Sequence, residues 1–135
     1  MMSRDEVHRE YKEMEGDPHI KHKRRHLHQE MLAEGAVHAA RNATVVVTNP
    51  THLAVALRYD DPESTPLPVV LAKGEGALAQ RMKTAALQAG VPVMENVPLA
   101  RALMAQAEVE QYIPPELVAP VAELLRAVRD LKEPR

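Results

Sequence analysis

The sequence contains no cysteine, no phenylalanine and no tryptophan, and it has only three tyrosines in 135 residues. Without cysteine there is no disulfide framework and no thiol nucleophile, a composition that suits a reducing compartment. Because aromatic side chains are so scarce, valine, leucine, alanine and methionine must fill the core. The same scarcity argues against nucleic-acid binding, since single-stranded bases stack on aromatic side chains.

Long apolar runs and a strong net charge are also lacking. No stretch approaches the ~20 apolar residues that a membrane-spanning helix needs, and the first residues do not read as a signal peptide. The net charge is −2, which gives no electrostatic signature of a nucleic-acid partner. The length allows one small domain with a polar extension.

Residues 1–41 form that extension, and they are charged and poor in strand-forming residues. A helix is predicted from about His19 to Ala40, frayed near Gly35. Four bases and no acid occur between residues 18 and 29, namely Lys21, Lys23, Arg24 and Arg25. This basic run reads as a solvated helix face or as a contact with anionic lipid; specific nucleic-acid binding is the weakest interpretation.

Histidines are concentrated in the same extension. His22 and His26 stand four residues apart, a spacing that lets two histidines on a helix bridge a zinc ion. No cysteine or well-placed acid completes a set of four ligands, so we predict solvated histidines, no metal site and no cofactor.

Residues 42–135 predict a globular domain of the α/β class. Strands are expected at 44–48, 53–59, 67–73 and 91–95, and helices at 76–89, 96–107 and from 114 onward. The first two strands form a hairpin, and the strand–helix–strand pattern over 67–95 favours a right-handed parallel crossover between the last two. The prediction is therefore a small mixed four-stranded sheet surrounded by about four helices, preceded by an extended linker helix.

The turn of the hairpin has an unusual composition. Asn49-Pro50-Thr51-His52 stands where tight hairpins usually carry Asn-Gly or Asp-Gly. Proline has no backbone N–H, so the common deamidation route, in which the next residue's nitrogen attacks the asparagine side chain, is closed at Asn49. On spacing alone, an ordinary β-turn with a surface histidine remains the simpler interpretation.

A second reaction remains open at this turn. The amide nitrogen of the Asn49 side chain can attack its own backbone carbonyl, forming a five-membered succinimide and releasing the nitrogen of Pro50. Because an amide nitrogen is a poor nucleophile, the fold must hold it close to its target. The departing nitrogen must gain a proton, and His52 is a residue type that exchanges protons near neutral pH.

The segment TNPTHLAVALRYD resembles the autocleavage site of the FlhB/YscU family, the export-switch proteins of type III secretion. The resemblance continues in the basic segment beginning DPHIK, in PVVLAKG at residues 68–74, and in VPVMENVPLARAL at residues 91–103. Met104 follows where most members carry tyrosine, a departure that should alter packing more than cleavage. The resemblance implies a single cut between Asn49 and Pro50, with the pieces remaining associated, rather than a turnover enzyme. Thr51 and His52 are expected to orient the turn and assist proton transfer.

The family resemblance also implies a cellular setting. We expect this chain to be the cytoplasmic-side part of a bacterial inner-membrane protein, following a membrane domain that is absent from it. Its implied partners are that membrane domain, the export-gate protein, the needle- or hook-length ruler protein and the secretion substrates. Its implied role is to switch export from early to later substrates.

Three alternatives accompany this interpretation. Leu53 and the segment at 65–68 favour the injectisome branch, with a flagellar homologue of the same chemistry as the alternative. Outside the family, the chain could be a hydrolase using His52 with Asp60 or Asp61, although no nucleophile motif such as G-x-S-x-G is present. It could also be a passive interaction module that is never cut.

Overall fold

The predicted hairpin forms the centre of the sheet in the computed structural model, which describes residues 16–60 and 66–132. The strands are β1 (Val45–Asn49), β2 (Leu53–Arg58), β3 (Val69–Glu75) and β4 (Val93–Glu95); the helices are α1 (Pro18–Arg41), α2 (Gly76–Gln88), α3 (Val97–Gln106) and α4 (Val118–Lys132), with a 3-10 turn at Pro115–Leu117. The chain divides into two units, Met1–Glu34 and Gly35–Arg135. The domain boundary predicted between residues 41 and 42 remains a prediction.

The sheet is mixed and four-stranded, as predicted, in the order β3-β2-β1-β4. Strand β2 pairs antiparallel with both β1 and β3, while β4 pairs parallel with β1. The predicted parallel crossover from β3 through α2 to β4 is present, but β4 does not lie beside β3: it joins β1 through Val46↔Val93 and Thr48↔Glu95. Strands β3 and β4 run in the same direction, yet the whole hairpin lies between them.

Helices cover both faces of the sheet, which explains why every residue of β1 is buried. On one face, Val45 and Val47 belong to a cluster that includes Leu103 of α3 and Val121 of α4. On the other face, Val46 belongs to a cluster that includes Met82 of α2. The alternation follows from the two-residue period of a strand.

The face that carries α2 is lined by small side chains. Ala54, Ala56 and Ala72 are buried there, and a Cβ added to Gly74 would collide with the side chain of Met82. These small residues allow α2 to approach the sheet closely, so that its first turn comes near the end of the sheet where the hairpin turns. Gly90 follows α2 with a φ of +77°, the left-handed conformation expected of a glycine after a helix.

Helix α1 is continuous through Gly35, so the fraying predicted there is wrong. Ala36, Val37 and Ala40 are buried in its last turns, and this burial compensates for the low helix propensity of glycine. No helix in residues 16–60 and 66–132 is long and apolar enough to cross a membrane. Residues 61–65, between β2 and β3, lie outside the described residues.

Candidate functional site

The Asn49–Pro50 bond lies at the end of β1, where the chain turns into β2. Asn49 is the last residue of β1 and pairs with Leu53, and Pro50, Thr51 and His52 connect the strands. Asn49 is only 8% exposed, whereas Thr51 and His52 are exposed and Pro50 is half-buried. The turn is closed by the backbone N–H of His52, which donates to the carbonyl oxygen of Asn49 over 3.0 Å.

The backbone on the upstream side of this bond is held by the β4–α3 junction. The backbone N–H of Asn96 donates to the carbonyl oxygen of Thr48 over 2.9 Å, continuing the parallel pairing of Thr48 with Glu95. Asn96 also caps α3, because its side-chain oxygen accepts from the N–H of Leu99 over 3.1 Å. The peptide group just before Asn49 is therefore anchored to a capped helix end.

The backbone on the downstream side is held by the first turns of α2. The side-chain amide of Gln80 donates to the carbonyl oxygen of Pro50 over 2.8 Å. The backbone N–H of Gly76 donates to the carbonyl oxygen of His52 over 3.0 Å. These contacts come from a different element than those upstream, so the two sides of the Asn49–Pro50 bond are anchored independently.

This arrangement would favour an attack on the carbonyl group of Asn49. Its oxygen accepts the N–H of His52, and a donor at that position stabilises the negative charge that develops on oxygen when a nucleophile adds to the carbon. Burial of Asn49 limits competition from water, and a backbone fixed on both sides reduces the conformations that the asparagine must search. The contact uses the backbone of His52, which the sequence pattern did not indicate.

The residues of the alternative hydrolase site are not brought together. His52 lies at the turn, whereas Asp60 lies beyond the other end of the six-residue strand β2, which alone is about 20 Å long at the usual rise per residue. Asp60 instead forms an ion pair with Arg58 over 2.8 Å and accepts a weak hydrogen bond from the hydroxyl of Thr44. Asp61 lies outside the described residues.

The predicted absence of a metal site remains a prediction. In helix α1, the imidazole of His26 lies 3.1 Å from the carboxylate of Glu30, an exposed i,i+4 pair. Within residues 16–60 and 66–132, no three histidine, cysteine or acidic side chains are grouped so that they could hold a metal ion.

Sequence reasoning missed Gln80 and Asn96 as neighbours of the turn. Gln80 lies 30 residues from Pro50 in an amphipathic helix, and nothing in the residues around an exposed glutamine indicates which distant group it contacts. Asn96 was expected only as the start of a helix; its contact with Thr48 depends on the pairing of β4 with β1, which the strand pattern did not reveal. Only the tertiary arrangement brings these residues to the site.

A groove lies at the opposite end of the hairpin from the turn. Its volume is about 540 Å³, and its walls include Tyr59, Leu67, Val118 and Leu125, with Arg126 and Arg129 also lining it. Thr44 and Asp60 contribute at the strand ends. This concave surface is therefore separate from the Asn49–Pro50 bond.

Comparison with known proteins relates this chain to protein export. The model of the FlhB HrpN YscU SpaS family matches residues 1–128. The chain is 47% identical over 125 residues to Yop proteins translocation protein U of Yersinia pestis, an alignment that covers 93% of this chain and 35% of that protein. It is 44% identical over 131 residues to flagellar biosynthetic protein FlhB of Salmonella typhimurium, covering 97% of this chain and 34% of that protein. The chain thus spans about a third of the length of these relatives.

The fold also matches a solved structure. The cytoplasmic domain of FlhB from Shewanella putrefaciens superposes with a TM-score of 0.69 at 32% identity, covering 74% of this chain and 76% of that one. The resemblance seen in the sequence and the α/β fold are therefore both confirmed. This chain belongs to the FlhB, HrpN, YscU and SpaS family, whose members include proteins of type III secretion and of flagellar biosynthesis.

Proposed function

We propose that this chain cuts itself once, between Asn49 and Pro50, and that the cut controls which substrates a type III export apparatus accepts. The observation that carries the proposal is that the backbone is anchored on both sides of the Asn49–Pro50 bond, with Asn49 itself buried. The carbonyl of Thr48 is held by Asn96, and the carbonyl of Pro50 is held by Gln80. An ordinary surface turn needs no such contacts from two further elements.

The proposed reaction is an intramolecular cyclisation. The side-chain nitrogen of Asn49 forms a bond to the backbone carbonyl carbon of the same residue, and the bond from that carbon to the nitrogen of Pro50 breaks. The attacking amide loses one proton and the departing nitrogen gains one, so the reaction needs no oxidant, reductant or cofactor. The products are a succinimide at the end of the upstream piece and a free secondary amine on Pro50.

Each predicted residue has a role in this reaction. Asn49 provides both nucleophile and electrophile, and Pro50 provides the leaving nitrogen while closing the deamidation route. His52 provides the N–H that contacts the Asn49 oxygen, and its exposed imidazole is available to exchange protons with solvent. Thr51 is an exposed turn residue that orients the chain between them. Because the reaction consumes its own asparagine, the chain performs one turnover.

The wider role rests on the family. In the full-length protein, which we propose to be anchored in the inner membrane with this chain on the cytoplasmic side, the cut alters a docking surface around the turn. The export-gate protein, the ruler protein and secretion substrates are the proposed partners. A full-length Asn49→Ala protein should leave bacteria exporting early substrates only; normal export of later substrates would contradict the switching role.

A contact of α1 with anionic lipid belongs to the same proposal. The bases Lys21, Lys23, Arg24 and Arg25 share this helix with Leu27, Met31 and Leu32, which are 58%, 72% and 61% exposed. Clustered lysines and arginines near a membrane attract anionic lipid head groups. The chain should bind vesicles containing phosphatidylserine more strongly than neutral ones, and equal binding would contradict the contact.

Denaturing intact-mass spectrometry of Asn49 variants tests the cut itself. The wild-type chain should give two pieces, residues 1–49 and 50–135, while Asn49→Ala should stay whole because it has no side-chain nucleophile. Asn42→Ala is the matched control, since Asn42 is an exposed asparagine that precedes alanine. Cleavage of Asn49→Ala at the wild-type rate would contradict cyclisation, and an uncut wild type would favour the passive interaction module.

A further inference from the structure

Helix α2 contributes a side chain to the turn that the family motif does not include. We propose that Gln80 is a positioning residue for the cut: its amide holds the carbonyl of Pro50 and thereby fixes the leaving nitrogen. The contact is a 2.8 Å hydrogen bond from Nε2 to the Pro50 oxygen. This inference rests on the proposed self-cleavage.

Two constraints together immobilise Pro50. Its ring fixes φ near −65°, so the orientation of its carbonyl depends on ψ alone. A donor on that carbonyl oxygen restricts ψ, and the proline is then held at both of its backbone torsions. The nitrogen that must depart is part of this immobilised ring, so the contact limits how the ring can rotate relative to the side chain of Asn49.

The same helix also positions the donor on the Asn49 oxygen. Gly76 holds the carbonyl of His52 by a 3.0 Å hydrogen bond, and the N–H of His52 donates to Asn49. Helix α2 therefore orients both the leaving nitrogen, through Gln80, and the group that stabilises charge on the attacked carbonyl, through Gly76. Reducing the conformations available before attack is the kind of positioning that accelerates intramolecular reactions.

The Gln80 contact can be tested by mutation because a side chain makes it. The contacts of Gly76 and Asn96 come from backbone N–H groups and cannot be removed by substituting a side chain. Gln80 is exposed, so its replacement leaves both core clusters intact. The stability of the fold should therefore change little when Gln80 is replaced, while the rate of the cut responds.

The experiment measures the first-order rate of the cut by denaturing intact-mass spectrometry, together with the unfolding midpoint of each variant. Gln80→Met keeps the length of the side chain but removes the donor, and it should cut about three- to tenfold more slowly, the range that a single neutral hydrogen bond commonly controls. Gln80→Lys restores a donor and should recover most of the rate. Gln88→Met, at the exposed far end of the same helix, is the control and should cut at the wild-type rate.

The pH dependence of Gln80→Glu separates positioning from a structural role. At neutral pH its carboxylate cannot donate to the Pro50 oxygen, so the cut should be slow relative to wild type. As the pH falls toward about 4.3, the usual pKa of a glutamate, the protonated carboxyl becomes a donor and the ratio of variant to wild-type rate should rise. A ratio that stays constant with pH would overturn the inference. So would Gln80 variants that all cut at the wild-type rate. A wild type that never cuts would overturn both this inference and the proposed function.

Discussion

At the scale of the residue, the central observation is that a buried asparagine precedes proline in a turn whose backbone is held on both sides. Proline at the next position removes the usual competing reaction, and burial of Asn49 excludes most water. The contact from the His52 N–H then makes the carbonyl a better electrophile. The proposed chemistry thus depends on the backbone of the turn as much as on the side chains of the motif.

The role of the His52 imidazole is a separate question from that of its backbone. His52→Ala keeps the N–H that contacts Asn49, so the cut should still occur, about 100-fold more slowly if a general acid is lost. Because a protonated imidazole would supply the proton, the wild-type rate should fall as the pH rises. The variant should lack this dependence.

Rates measured by intact mass from pH 5 to 9, a range chosen about the neutral titration of histidine, test that role. His38→Ala is the control, since His38 is an exposed histidine in α1. If His52→Ala and wild type gave profiles of the same shape, the imidazole would not be the proton donor, and its contribution would be limited to orienting the turn.

At the scale of the element, Lys73 joins the sheet to α3. Lys73 lies in β3, and its ammonium group donates to the carbonyl oxygens of Met104 and Ala107 over 3.1 and 2.7 Å. A cation at the C-terminal end of a helix satisfies carbonyls that have no partner within the helix. The same helix begins at Asn96, which contacts Thr48 beside the proposed cut, so Lys73 secures the far end of the element that holds the upstream side.

Replacement of Lys73 should therefore lower the stability of the fold. Lys73→Met keeps most of the aliphatic chain but leaves the buried carbonyl of Ala107 without this donor, which should cost about 1–3 kcal/mol of unfolding free energy. Urea unfolding followed by circular dichroism measures the loss. Lys83→Met in helix α2 is the control, and a Lys73→Met loss no larger than that of the control would show that the contact contributes no stability.

Local sequence patterns predicted the strands and helices correctly, but they did not predict the order of the strands in the sheet. The valine-rich strands, the polar turn between them and the glycine that follows α2 all carry short-range signals, and each was found in the expected place. The partner of β4 was not predictable, because the crossover from β3 can end beside any strand that has a free edge, and β1 offered one. The helix at Gly35 continues because alanines around it are buried, a tertiary effect that propensity does not include.

The site was predictable to a similar degree. The motif Asn49–His52 identified the bond, since the reactivity of an Asn–Pro pair is a property of adjacent residues. Lys73, Gln80 and Asn96 could not be found in this way, because they meet the turn or its supporting helix only through sheet pairing and helix packing. The sequence therefore indicated the proposed reacting groups, whereas the structure was needed to find the residues that hold the turn.

At the scale of the whole molecule, the proposed cut would leave the fold held together without a covalent link. Strand β1 lies between β2 and β4, and its side chains enter clusters on both faces of the sheet. The piece that contains β1 would thus remain bound to the piece that contains the other strands through ladder hydrogen bonds and buried apolar surface. The released ends would gain freedom at the turn alone, which is the surface that the proposed switch changes.

The mass of the upstream piece when it first forms is the most direct test of cyclisation at Asn49. Freshly prepared wild-type chain should be sampled over time at mildly acidic pH, where cyclic imides hydrolyse slowly, and analysed by denaturing intact-mass spectrometry. Residues 1–49 should appear first at one water mass below the free-acid form, as expected of a succinimide at Asn49, together with residues 50–135. A chain that stays at the mass of all 135 residues, or an upstream piece that first appears already hydrolysed, would contradict cyclisation.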